Sequence, residues 1–177
     1  MSDANGRDLK TAIERNVKAL TLRASVGQGT AATRVVVRRG ATACDIEDGE
    51  HRLVADIDRG SGGDGVGPDP GVLVRGGLGA CLAIGYEMWS QRLDVPLDSI
   101  EVIVEADYDA RGMYGVDDDV SPGWTGLRYS VNVESSAPAE RVQELLDKAD
   151  AHSPVLDDLR RAMNVIGEHR IAARAES

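Results

Sequence analysis

The sequence predicts an α+β fold in a single domain spanning residues 1–177, and three observations carry that expectation. Segments whose apolar residues alternate with polar ones are separated by glycine turns; amphipathic stretches of helical period lie at both ends; and a long run rich in very small apolar residues stands between them. A chain of 177 residues with 42% hydrophobic content is large enough for one real core. It contains no Phe and only two Trp and four Tyr, so that core must be built from Val, Leu, Ile and Ala.

The elements are expected in the following order. Leu9, Ile13, Val17 and Leu20 recur at helical spacing, which predicts a surface helix over 8–22. From Thr30 the period becomes two. Strands are expected over 33–38, 42–47 and 51–57, joined by Arg39-Gly40 and Asp48-Gly49 turns into an N-terminal β-meander. Five glycines and a proline make 58–69 a loop. Asp69 as N-cap and Pro70 at the first helical position open a helix that runs to about Arg92. Glycines in its interior each cost roughly 1 kcal/mol of helix propensity relative to alanine, so tertiary packing must offset them and the central helix is expected to be buried. A second sheet follows from 100–110 and 127–135, where Val102, Val104 and Ala106 alternate with acidic residues. Helices are expected from Pro138 to Ala149 and after Pro154, and a last strand over 164–173. Asp117-Asp118-Asp119 lacks the glycine and glutamate spacing of a calcium loop and reads as a solvated turn.

Composition excludes several classes of function. A net charge of −10 argues against nucleic acid and anionic membranes as partners, because both demand clustered Lys and Arg. No run approaches the roughly 20 apolar residues of a membrane span, and no apolar leader begins the chain, so a cytoplasmic protein is expected. Two cysteines in a reducing compartment do not predict a structural disulfide. His51, His152 and His169 stand far apart, and neither a metal nor a cofactor is expected. Cys81, inside Gly76-Gly77-Leu78-Gly79-Ala80-Cys81-Leu82-Ala83-Ile84-Gly85, has two readings: a small core residue, or a thiol held at a sheltered site.

The approach loop Gly62-Gly63-Asp64-Gly65-Val66-Gly67-Pro68-Asp69-Pro70, the segment Leu78-Gly79-Ala80-Cys81-Leu82-Ala83 and the later Ala149-Asp150-Ala151-His152-Ser153-Pro154 together resemble the OsmC/Ohr superfamily of osmotically induced and organic hydroperoxide resistance proteins. The resemblance implies an OsmC-like fold in an intertwined homodimer. It also implies a two-cysteine chemistry in which a first thiolate attacks a peroxide and a second cysteine closes a disulfide with the resulting sulfenic acid. Cys81 matches the first cysteine, and Ser153 stands where the second is expected. An arginine at the N-terminal hairpin, supplied here by Arg38 or Arg39, is implied to hold the thiolate. The glutamate expected ten residues before the first cysteine is Gly71.

These departures shape the functional expectation. The chain is expected to be an OsmC-like protein related to thiol-dependent organic hydroperoxide reductases, with weak or one-cysteine peroxidase activity recycled by an external thiol reductant. The alternative is a non-enzymatic dimer of the same fold that binds a hydrophobic small molecule. With Ser153 and Gly71 in place of the family's residues, the sequence leaves open whether the protein is an enzyme. Cys44, on the second strand of the meander, is not expected to resolve Cys81. Ser153 is expected to cap the helix that begins at Pro154, because no acidic partner or Gly-x-Ser-x-Gly elbow makes it a nucleophile beside His152.

Overall fold

A computed structural model describes residues 8–172 of the chain. Helix α1 (Leu9–Leu22) is capped by the Asp8 carboxylate, which accepts from the Thr11 amide. Ile13 is its buried residue, and Lys10 ties the helix to Asp94 by an ion pair. Three antiparallel strands follow: β1 (Arg34–Val37), β2 (Cys44–Asp48) and β3 (His51–Ala55), in the order β1-β2-β3. Gly40 and Gly49 turn the two hairpins with φ of 74° and 55°, as the expected turn pairs require. Asp48 pairs with His51 across a two-residue turn, whereas the chain between Val37 and Cys44 makes a wider loop.

The glycine-rich connection after β3 is organised by one carboxylate. Asp56 is only 3% exposed. It accepts from the Thr42 hydroxyl at 2.6 Å and from the backbone N–H groups of Ile57, Asp64 and Val66 at 2.9, 3.1 and 3.2 Å. Two glycines are needed here for space: a Cβ on Gly67 would lie 2.4 Å from the Val54 carbonyl oxygen, and one on Gly63 2.2 Å from that of Ile57. The loop delivers the chain to α2 (Pro70–Leu93), whose N-cap Asp69 accepts from the Val72 amide as expected. Helix α2 ends at Asp94, which holds a left-handed conformation at φ 52°, while the Ser90 hydroxyl donates to the Val95 carbonyl.

Strands β4 (Ser99–Tyr108) and β5 (Trp124–Glu134) form a separate antiparallel pair, linked through the short helix α3 (Ala110–Met113). Period two divides their faces. Ile100, Val102, Val104, Leu127, Tyr129 and Val131 pack on the core, whereas Arg128 pairs outward with Glu105 and Asp107 and Asn132 with Glu101. Helices α4 (Ala139–Ala151) and α5 (Pro154–Arg160) close the other side of α2. The core consists of Leu78, Leu82 and Tyr86 from α2, Val95, Leu145 and Ala149 from α4, and Leu156 from α5. No helix among the described residues is long and apolar enough to cross a membrane.

Two expectations are corrected. The strand expected over 164–173 does not form: residues 162–172 have no regular structure, and Ala173 lies outside the described residues. Val165 and Ile166 are adjacent, so no single strand face could bury both, and among the described residues no sheet edge pairs with this stretch. They are 87% and 84% exposed. The burial of α2 is also one-sided within the chain, since Ile84 and Met88 on its far side are exposed.

Replacing Leu82 by alanine should cost about 3 kcal/mol, the range for a fully buried leucine, read from denaturant unfolding. Asp56 gives a pH signature. Its hydrogen bonds, that from Thr42 foremost, hold the carboxyl below its ordinary value of 3.8. The stability it contributes is therefore complete above the unfolded carboxyl's range and is lost as pH falls through the lower folded value. Asp56→Asn should flatten this acid limb in a pH series of unfolding midpoints, and an unaltered limb would remove Asp56 as its source.

Candidate functional site

Cys81 lies at the edge of the core because of where it falls on α2. Leu78, Leu82 and Tyr86 recur every four residues and define the buried face, so the residue just before Leu82 is turned about 100° to one side. Gly79 lies toward the sheet, where a Cβ would meet Val104 at an ordinary 3.5 Å. Cys81 is half-buried on another side of the helix. One turn before and after it stand Gly77 and Gly85, and a Cβ at either position would have no atom within 4 Å. The thiol therefore has a wall on one flank and open space along the other.

The wall is Ser153. Its hydroxyl lies 3.4 Å from the Cys81 sulfur, within hydrogen-bonding range for sulfur, and either group can donate. Ser153 is 4% exposed. The expectation that it caps α5 is corrected: it occupies the N-cap position, with φ −82° and ψ 112°, yet its side chain makes no bond to the helix amides. The hydroxyl is turned to the sulfur instead. Pro154 carries no N–H, and the Asp157 amide bonds the Ser153 carbonyl at 3.0 Å. His152 faces elsewhere, its Nδ1 2.7 Å from the Lys148 carbonyl and its ring 5.0 Å from that of Trp89. Since a carbonyl only accepts, that nitrogen carries the proton.

A second set of residues, which the sequence did not single out, holds the junction of α4 and α5. The Asp150 carboxylate, on the last turn of α4, accepts from Tyr86 at 2.7 Å and from Tyr129. Burial and the neighbouring carboxylate push both phenols above their ordinary range, so both remain donors at neutral pH. A signal existed in the spacing: Asp150 comes one helical turn before Ser153 and Tyr86 one turn after Leu82.

Among the described residues, neither arginine makes a hydrogen bond or ion pair at the thiol, and no strand of sheet β1-β2-β3 shares an extensive contact with α2. Arg38 grips Asp45 through Nε at 3.1 Å and Nη2 at 2.6 Å, while Arg39, in the hairpin loop, forms no ion pair among the described residues. Cys44 is a free, half-buried cysteine on that same sheet, its sulfur 3.5 Å from the Thr42 carbonyl. Position 71 is ten residues up α2, about 15 Å from Cys81 along the axis. The Arg75 guanidinium occupies the nearby space: a Cβ on Gly71 would meet its Nη1 at 3.2 Å and the Asp69 carboxylate at 2.9 Å. Arg75 also lies over the Trp124 ring, 5.8 Å from its centroid.

A family model described as OsmC-like protein matches residues 62–167, a span that contains α2, the sheet β4-β5 and the α4–α5 junction. The chain belongs to the OsmC/Ohr superfamily. The architecture agrees with solved structures of that group. An OsmC-like protein from Mycoplasma pneumoniae superposes with a TM-score of 0.64 at 12% identity, over 75% of this chain and 89% of that one. The organic hydroperoxide resistance protein OsmC from Legionella pneumophila gives 0.53 at 18% identity, over 75% and 90%. The organic hydroperoxide resistance protein OhrB of Bacillus subtilis gives 0.51 at 23%, over 75% and 91%. At these identities the likeness is one of fold. No curated protein matches the chain in sequence.

If the glycine flank is the way in, Gly77→Leu should slow alkylation of Cys81 by N-ethylmaleimide several-fold in a Cys44→Ser background. Helix content should not fall, because leucine is the better helix former by about 0.8 kcal/mol. Mass spectrometry of timed samples reads the rate, and an unchanged rate would show that the reagent arrives from another side.

Proposed function

We propose that this protein reduces organic hydroperoxides at a single cysteine, Cys81, and is recycled by a thiol from outside the chain. The observation that carries the reading is the contact of Cys81 with Ser153 on the open edge of α2. The hydroxyl stands at the place implied for a second cysteine, within reach of the sulfur, and it cannot form a disulfide. In the first step the Cys81 thiolate attacks the terminal peroxide oxygen and the O–O bond breaks. The alkoxide leaves and takes a proton to become an alcohol, and the sulfur becomes a sulfenic acid. A small thiol then forms a mixed disulfide with Cys81 and releases water. A second thiol displaces the Cys81 thiol and leaves as the oxidised disulfide.

The reading includes a homodimer. Exposed Val35, Val36, Val37 and Leu53 on the first sheet, and Ile84 and Met88 on α2, are apolar surfaces that a second copy would cover. In such a dimer the hairpin of one subunit supplies the arginine for the other's thiolate. Arg39 suits that part because Arg38 is engaged with Asp45. A second reading, a non-enzymatic binder of a hydrophobic small molecule, draws on a pocket of about 360 Å³ between β5 and α5, lined by Leu78, Leu127, Tyr129, Leu156 and Leu159 among others.

Cumene hydroperoxide consumption with dithiothreitol separates the two. Cys81→Ser should abolish it, Cys44→Ser should leave it intact, and dimedone should trap a sulfenic acid on Cys81. Arg39→Ala should slow oxidation roughly tenfold, the effect of losing about 1.4 kcal/mol of charge stabilisation. An inert Cys81 together with saturable binding of an apolar fluorophore would favour the binder. Sedimentation at micromolar concentration tests the dimer, which a well-folded monomer would exclude.

A further inference from the structure

Ser153 meets Cys81 across a boundary between helices, so something must fix the α4–α5 junction against α2. The backbone of Ser153 does not do this alone: it lies at the start of a seven-residue helix, with no side-chain cap. Three residues earlier, the Asp150 carboxylate binds two phenols that come from two different elements. Tyr86 belongs to α2, five residues beyond Cys81, and Tyr129 belongs to β5. Tyr86 is 1% exposed. A carboxylate drawn into such a setting is costly unless its oxygens are bonded, and here each oxygen has its own donor. Moving the junction by an ångström would break a bond at each oxygen.

We infer that Asp150, held by Tyr86 and Tyr129, is the positioning residue that sets the distance between the Ser153 hydroxyl and the Cys81 sulfur. The clamp and the contact share the same two helices: α2 carries Cys81 and Tyr86, and the end of α4 carries Asp150 just ahead of Ser153. Apolar packing of Leu78, Leu145 and Leu156 brings these helices together without direction, whereas the phenol hydrogen bonds fix rotation and height. The inference rests on the reading of Cys81 as the reacting thiol only for its consequence in catalysis; the geometry it claims can be measured without peroxide.

Disulfide closure serves as the ruler. In a Ser153→Cys, Cys44→Ser protein, diamide should rapidly join Cys81 to the new thiol at position 153. Adding Tyr86→Phe, which keeps the ring and removes the hydroxyl, should slow closure. Asp150→Ala should slow it further, by roughly tenfold or more, since a misplacement of about 1 Å can cost a hundredfold in a proximity-controlled step. Asp150→Asn, which keeps the shape and one acceptor oxygen, should recover much of the rate. All rates are taken well below each variant's melting temperature, where a general loss of stability would not alter them. Closure unaffected by both Tyr86→Phe and Asp150→Ala would overturn the inference. Where Asp150→Ala fails to fold, the Tyr86→Phe rate alone decides. A Cys81 inert to cumene hydroperoxide in a protein whose closure still responds to Tyr86→Phe would remove the peroxidase reading and leave the clamp standing.

Discussion

The structure depends on a ridge of three side chains spaced one turn apart on α2: Leu78, Leu82 and Tyr86. Each is essentially inaccessible to water, and between them they touch the sheet, α4 and α5. The ridge determines what every neighbouring position on the helix can do. Gly79 is turned to the sheet, toward Val104. Cys81 is turned to the margin, where burial is partial and a polar partner can enter from the α4–α5 junction. Tyr86 ends the ridge with a hydroxyl, so the apolar contact finishes in a directional one to Asp150. Site and core are therefore two faces of one helix.

Local signals made much of the fold legible. Asp69, Pro70 and Pro154 mark helix starts, and alternation in β4 and β5 separates an apolar face from one of paired charges. The wide loop between β1 and β2 and the short helix α3 were not legible, since both depend on contacts rather than composition. The segment after 163 shows the limit most clearly. Val165, Ile166 and Ile171 look strand-like, yet a strand exists only where another strand answers its N–H and C=O groups. Propensity supplies the side chains and cannot supply the neighbour.

At the site, the cysteine was legible because small residues surround it in sequence, and the family resemblance set Ser153 beside it, but the orientation of the Ser153 hydroxyl was not legible. A serine before a proline reads as a cap whenever only the chain order is seen. Its hydroxyl faces the sulfur, 72 residues earlier, and makes no bond to the amides of the helix it precedes. Asp150 was equally hidden. An acidic residue in the last turn of an exposed-looking helix reads as a solvated charge, and only the arrival of two phenols from α2 and β5 makes it a half-buried, hydrogen-bonded fixture.

The two departures from the family pattern are not gaps in this structure. Where a second thiol is implied, Ser153 fills the position, stays buried and hydrogen-bonds the sulfur. Where a carboxylate is implied at position 71, the Arg75 guanidinium occupies the adjoining space and lies over Trp124. A site that had merely lost its chemistry would be free to lose its packing, since a buried hydroxyl without a partner is penalised and a cavity is costly. Here the Ser153 hydroxyl has the Cys81 sulfur as its partner, and the space a side chain at position 71 would enter is bordered by Arg75 and Asp69. A hydroxyl at bonding distance from the sulfur holds the two side chains together and allows no disulfide between them.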